Sequence, residues 1–487
     1  MVQATKRVLS GYKLIASYLG IILILIGSII LLPLLTLFAY PSEAVYAKCF
    51  FNPGILSIFI GIIMSVFLLD HSKEKLEKNH DAIIVTFAWI LAILISTAPF
   101  VLAKQCNFLQ ALFECTSGYA TVGLTVFDVS KLPHIFLMYR SIMLLFGGIG
   151  LVLIVTCVMS RYYGMRLYQA EGHADKVMPQ LIKSARVIFI IYLGYIVIGT
   201  LMYVYFGMNW FDAINHAISA MSTGGFSTRP NSIEYYNSPQ IEYVSIVLML
   251  LGSINFLLHL YILKGDGKKF IKHCETKLMF WILLIFTPIV SVLILDRFGN
   301  DTFRTALFHI VSALTTTGLS TTSMLNFSTP VILIFVILMT VGGGVGSTAG
   351  GIKQYRIYIL LKNWNIRNKI GSRYSIVPRN VEKFGEKVKV EDEERLSIAN
   401  FSILYFLILI LGTFIISCYG YTLQDSLLEF SSALSSAGLS SGIISSTTPA
   451  GILITCILGM FLGRLEMYIV FIALIKLIGD IKNKVIV

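Results

Sequence analysis

The chain has 487 residues, of which 56% are hydrophobic and only 13% charged, and its net charge is +12. Soluble domains carry about 25% charged residues, so most of this protein's surface must face lipid rather than water. Disorder, coiled coil, collagen and small disulfide scaffolds are excluded, and the seven scattered cysteines show no metal-ligand spacing.

A bilayer crossing needs about 20 apolar residues. Ten runs qualify: 14–37, 50–69, 82–103, 141–160, 187–208, 243–263, 278–295, 330–352, 396–421 and 449–475. Ten crossings return both termini to one side. If the N-terminus, 70–81, 161–186, 264–277, 353–395 and 476–487 are cytoplasmic, they hold 30 of the 38 Lys and Arg residues. The expectation is a multi-pass protein of the cell (inner) membrane, in contact with lipid, with both termini cytoplasmic. The basic excess is then topological and needs no nucleic-acid partner. Cys49 and Cys106 both fall outside, which permits a disulfide without requiring one. The one long polar stretch, 362–395, reads either as a solvated linker or as a docking surface for a cytoplasmic partner.

Four outer loops repeat one pattern. Aligned on Gly123, Gly225, Gly318 and Gly438, each has an N-cap residue sixteen positions upstream: Asn107, Asn209, Thr302 or Thr422. Three further on, Gln110, Asp212 and Asp425 can reach back as in a capping box, with Thr305 in the remaining unit. Nine before the glycine come Glu114, His216, His309 and Glu429. Six before, all four are serine: Ser117, Ser219, Ser312 and Ser432. Five before come the small residues Gly118, Ala220, Ala313 and Ala433. Two before are hydroxyls, Thr121, Thr223, Thr316 and Ser436. After the glycine come a bulky residue and another hydroxyl: Leu124–Thr125, Phe226–Ser227, Leu319–Ser320 and Leu439–Ser440.

Each unit therefore reads as span, capped short helix, hydroxyl-x-Gly, span. A short helix that enters from outside and returns must line a polar cavity. Four such units predict a pseudo-fourfold ring, with the negative ends of the helix dipoles turned toward a cation on the axis. Each glycine allows the positive φ that aligns neighbouring carbonyls, as in carbonyl-lined cation filters. The eighth span is interrupted by six glycines in ten residues, Gly342-Gly343-Gly344-Val345-Gly346-Ser347-Thr348-Ala349-Gly350-Gly351, which predicts a loop at mid-membrane depth. Close helix packing through small residues is the competing reading, and a phosphate cradle fails for want of its Lys-Ser/Thr ending. Arg464 and Glu466 lie inside the tenth span. Two positions apart on a helix, they need different partners.

These segments resemble the pore-forming subunit of the Trk/Ktr/HKT potassium transporter superfamily over about residues 82–480. The likeness rests on Ala120-Thr121-Val122-Gly123-Leu124, Ser222-Thr223-Gly224-Gly225-Phe226, Thr315-Thr316-Thr317-Gly318-Leu319 and Ser435-Ser436-Ala437-Gly438-Leu439. It rests also on the 342–353 segment and on Gly463-Arg464-Leu465-Glu466. The extra N-terminal pair of spans is similar to the Trk branch. Glycine stands in the first unit where sodium-selective HKT members have serine.

The resemblance implies an all-α polytopic fold of four pseudo-symmetric helix–pore loop–helix units around one pore, plus two N-terminal transmembrane helices. Residues 1–81 hold that pair, and the units are 82–165, 166–275, 276–395 and 396–487. It implies potassium uptake, with K+ bound at Thr121, Val122, Gly123, Thr223, Gly224, Gly225, Thr316, Thr317, Gly318, Ser436, Ala437 and Gly438. A gate is implied at Gly342, Gly343, Gly344, Gly346, Ser347, Thr348, Gly350 and Gly351, with Arg464 in the path below the filter. A homodimer on a ring of cytoplasmic nucleotide-binding regulator subunits is implied as well. K+ is cargo, and no bound cofactor or catalytic residue is expected. A Na+-permeable or cation-coupled member remains the alternative. An alternating-access solute transporter would show two, often inverted, repeats, and no protease or hydrolase motif lies in a span.

Overall fold

The computed structural model describes residues 2–69, 79–150, 181–367 and 380–485. The end of the fourth expected span and the loop after it, up to residue 180, lie outside the described residues. So do 70–78 and 368–379. Within the described residues the chain is mostly helical. Six helices are long and apolar enough to cross a membrane, two more crossings are bent helix pairs, and His134–Ile149 and Thr329–Val341 are shorter apolar helices. Together these match the ten apolar runs.

The N-terminal helices Val2–Leu31 and Ala47–Leu69 lie in backbone contact. A β-carbon on Gly20 would meet the carbonyl of Gly61, one on Gly27 that of Gly54, and one on Gly61 that of Gly20. Lipid gives helices no hydrophobic reason to associate, so close approach through small residues supplies the contact instead. The opposite face carries exposed Phe51, Leu56, Phe59, Ile63 and Val66, as a lipid-facing surface requires.

Four short helices follow, each sunk between two spanning helices: Phe108–Tyr119, Trp210–Met221, Thr302–Leu314 and Leu423–Ser435. Three start as the pattern predicts. Asn107 accepts from the Gln110 N–H at 2.9 Å, Asn209 from that of Asp212 at 2.8 Å, and Thr422 from that of Asp425 at 3.1 Å. The full capping box forms at Asn107–Gln110. The third unit departs. A 3-10 turn over Gly299–Asp301 runs straight into its helix, so Thr302 is the first helical residue and its hydroxyl donates to Gly299 O.

Each return helix starts at a proline: Pro133, Pro239, Pro330 or Pro449. Proline fits here because its missing N–H would have no partner in a first turn. No return helix crosses straight. The first ends at Ile149, with Gly150 at φ 94°. The second breaks by 107° between Ser253 and Phe256, and the fourth by 98° between Arg464 and Met467. The third ends at Val341 and gives way to the glycine-rich loop. The expected single crossings 243–263 and 449–475 are therefore broken helices.

The polar stretch is not a bare linker. Gln354–Arg367 is helical, and Asn380–Lys383 pairs with Glu386–Lys389 in an antiparallel hairpin. Phe384 at its turn packs against the His273 ring at 4.9 Å, and Lys277 bonds Glu382 at 2.5 Å.

Candidate functional site: a fourfold ring of glycines and carbonyls

The four short helices end identically. In each, the residue two before the aligned glycine is left-handed: Thr121, Thr223, Thr316 and Ser436 have φ of 52°, 51°, 52° and 58°. Its N–H donates to the carbonyl three back, at Gly118, Ala220, Ala313 or Ala433. The next N–H, of Val122, Gly224, Thr317 or Ala437, donates to Ser117, Ser219, Ser312 or Ser432 at 2.8 to 2.9 Å. That pair of bonds is a Schellman cap, usually built with glycine at the left-handed position. A side chain there costs about 1–2 kcal/mol. The same strained choice in four units keeps a hydroxyl at this place.

The aligned glycines are left-handed too, with φ of 91°, 70°, 82° and 82°. Their neighbours show how the units meet. A β-carbon on Gly123 would come within 3.0 Å of Gly224 O, one on Gly225 of Thr317 O, one on Gly318 of Ala437 O, and one on Gly438 of Val122 O. The contacts run from unit one to two, three, four and back to one, so the ring is closed. Above it lies a cavity of about 330 Å³, lined by all four glycines, by the hydroxyl residues Thr125, Ser227, Ser320 and Ser440, and by Arg140 and Arg229.

Behind the ring, the Glu/His positions brace the strands that leave it. Thr125 donates to Glu114 at 2.9 Å, and Ser440 donates to Glu429 at 2.7 Å. His216 Nε2 meets Ser227 Oγ at 2.9 Å. His309 bonds Thr305 O instead, meets Phe327 edge-on and stacks on Phe335. The two histidines thus have hydrogen-bonding and packing roles, and no cluster able to hold a metal occurs among the described residues.

The loop after Val341 lies directly beneath. Gly350 N–H donates to Thr316 Oγ1 at 2.7 Å, and Thr223 donates to Thr348 Oγ1 at 3.1 Å. A β-carbon on Gly350 would collide with Ser435 O. The broken second return helix supplies the loop's other partners. Its last carbonyls lack helical donors, so Gly252 O accepts from Thr348 N–H at 3.1 Å and Ser253 O from Gly344 N–H at 2.9 Å. Val345 N–H donates to the buried Glu275 at 2.8 Å. On the opposite side Arg464 donates to Thr348 O at 2.7 Å, to Gly148 O at 3.2 Å, and to Gly147 O. Glu466 pairs with Arg356 at 2.7 Å, so the two charges do have separate partners. A small cavity of about 40 Å³ beside the loop is bordered by Gly346, Ser347, Gly350, Lys353 and Arg464.

One repeated feature escaped the sequence reading. Gly147, Gly252 and Gly463, at the breaks, each press against the last turn of their own unit's short helix, at Tyr119 O, Met221 O and Leu434 O. Each of those carbonyls sits four before the aligned glycine. The signal was present as Gly147-Gly148, Gly252-Ser253, Gly342-Gly343 and Gly463-Arg464, at similar distances after the ring glycine.

The family model described as TrkH, cation transport protein, matches residues 47–284 and 270–483. The Trk system potassium uptake protein TrkG of Escherichia coli K12 is 32% identical over 82% of this chain and 85% of its own. An uncharacterized cation transporter of Methanocaldococcus jannaschii is 28% identical over 95% of this chain and 94% of its own. The crystal structure of the potassium transporter TrkH from Vibrio parahaemolyticus superposes with a TM-score of 0.84, covering 96% of this chain and 98% of that one, at 24% identity. That likeness establishes the all-α polytopic fold.

Proposed function

Because the chain belongs to the TrkH family of cation transport proteins, we propose that it carries potassium across the cell membrane through the ring at Gly123, Gly225, Gly318 and Gly438. The observation that carries the reading is the closed cycle of glycine-to-carbonyl contacts from four units. Carbonyls held in a ring replace the hydration shell of a monovalent cation without a net protein charge. The hydroxyls of Thr121 and Ser436 are buried beside the ring with no hydrogen-bond partner among the described residues. They are further hard oxygen donors of the kind such an ion accepts. The four helix C-termini add negative dipole ends.

The 342–351 loop is the gate in this reading. It fills the space under three of the four ring segments, and its glycines let it leave without side-chain clashes. The lysine and arginine distribution supports cytoplasmic termini, with pore units at 82–165, 166–275, 276–395 and 396–487. The basic cytoplasmic face and the hairpin at 380–389 offer surface to a nucleotide-binding regulatory ring beneath a homodimer. Four units of parallel topology argue against an alternating-access solute carrier.

The test is Gly123→Ser in the full chain, reconstituted into liposomes, with K+ and Na+ uptake compared. The side chain would drive into Gly224 O, and the K+/Na+ ratio should fall. A ratio unchanged here and at the three equivalent glycines removes the filter. A native chain that takes up Na+ as readily as K+ makes it a Na+-permeable member instead.

A further inference from the structure

Between the first and second ring segments lies an ion pair that no lipid-facing or topological need explains. Glu114 is fully buried and Arg140 is 1% exposed. Arg140 Nε donates to Glu114 Oε1 at 2.6 Å. Glu114 also accepts from Thr125 Oγ1 and, at 3.2 Å, from Val126 N–H, both in the strand that leaves the first ring segment. The other end of Arg140 reaches the second unit. Its Nη1 donates to Ser227 O at 3.3 Å, and its guanidinium lies 3.9 Å from the centre of the Phe226 ring.

We infer that Glu114 and Arg140 are positioning residues for ion selection, clamping the first and second strands so that Gly224 O keeps its place against Gly123. The inference rests on the ring being the filter. Taking two charges out of water is costly, and an apolar pair of the same size is commonly as stable. Stability alone therefore gives no reason for an ion pair here. Fixed geometry does, because a guanidinium holds a carboxylate, a carbonyl and an aromatic face in one rigid arrangement. The clamp belongs to one corner. The second and third units carry His216 and His309 at the Glu114 position, and in the fourth Glu429 accepts from Ser440 and Ser441.

The experiment uses the full chain in liposomes and reads the K+/Na+ uptake ratio and the yield of folded protein separately. Arg140→Lys keeps the charge but loses the fork and the stacking. It should lower the ratio about tenfold, which corresponds to ~1.4 kcal/mol between the two ions, with near-native yield. Glu114→Gln strands Arg140 and should lower both ratio and yield. The double variant Glu114→Gln/Arg140→Met removes the buried charge, so the yield should recover while the ratio stays low. A native ratio in Arg140→Lys or in the double variant overturns the inference. Gly123→Ser is the control. If it shifts the ratio and the pair variants do not, the clamp fails and the filter stands. If it also leaves the ratio unchanged, the filter itself fails.

Discussion

Replacing Arg464 by Gln should raise K+ flux, for two reasons that add. The first is mechanical. Arg464 holds the 342–351 loop, the proposed gate, by its bond to Thr348 O at 2.7 Å while anchored on the carbonyls of Gly147 and Gly148. When the loop leaves, the Thr348 bond is lost and the anchor stays. A hydrogen bond from a charged group contributes about 1.5–3 kcal/mol, so its removal shifts the closed-to-open ratio by roughly 10- to 150-fold. The second is electrostatic. A fixed positive charge about 7 Å from a passing cation, at an effective dielectric near 20, raises its energy by about 2–2.5 kcal/mol. Water beside the loop lowers that to ~1 kcal/mol, about a fivefold effect on passage. Arg464→Lys separates the two, since it keeps the charge and loses the planar fork. Flux is measured as K+ uptake into liposomes and normalised to folded protein. A rise in both variants assigns the effect to the latch, and a rise in Gln alone assigns it to the charge. The K+/Na+ ratio should hold in both, because the ring lies above. A fall in normalised flux for Gln would refute the reasoning.

Two further outcomes are expected. Deleting Gly343 to Gly350 should leave a leakier protein with its K+ preference intact, and loss of flux at normal folded yield would mean the loop is packing rather than gate. At the 380–389 hairpin, burial pulls the His273 pKa down to about 4, with Lys383 adding to the effect. Its neutral form is the folded form, so this corner keeps its full stability above about pH 6.5 and loses it as pH falls toward 4, by ~1–3 kcal/mol. Glu275, 3.8 Å from His273 Nδ1, favours the protonated ring and limits the loss. Amide-exchange protection of residues 380–389 should therefore drop between about pH 7.5 and pH 5, and His273→Gln should flatten the change. Equal protection at both pH values in the native chain would exclude this titration.

The ten apolar runs and the fourfold repeat were legible because both depend on local rules. Lipid demands runs of fixed length, and a Schellman cap demands its turn at fixed offsets. The cap accounts for the offsets and not for the side chains: Ser117 and its equivalents accept the long bond through the main-chain carbonyl, and Thr121 and its equivalents take a left-handed turn that glycine usually fills. The bends at 253–256 and 464–467 were not read, although the glycines at Gly252 and Gly463 mark their places. Leu251 to Leu258 and Phe461 to Ile469 keep apolar residues on both sides of the bend around Ser253, Asn255, Arg464 and Glu466, and hydropathy does not register a change of direction. What bends them is tertiary. Carbonyls freed at Gly252 and Ser253 find their donors in a loop 91 or more residues away. The hairpin at 380–389 was missed for a similar reason: Phe384 packs on His273, far earlier in the chain, and strands of four residues give little periodicity of their own.

A single chain of four unequal repeats can do what four identical subunits cannot. In a symmetric tetramer, an arginine under the filter would appear four times, and the four like charges would repel one another and the ion. Here Arg464 occurs once, and its charge is spread over carbonyls from the first and third units. The glycine-rich insertion also occurs once, so as the proposed gate a single loop would close the axis without three copies competing for the same space. The second unit's broken helix leaves carbonyls that hold that loop. On the proposed function the backbone of the ring stays fourfold because an ion on the axis would meet all four strands alike. The side chains beneath it diverge, with Arg464 and the glycine-rich loop each contributed by one unit alone.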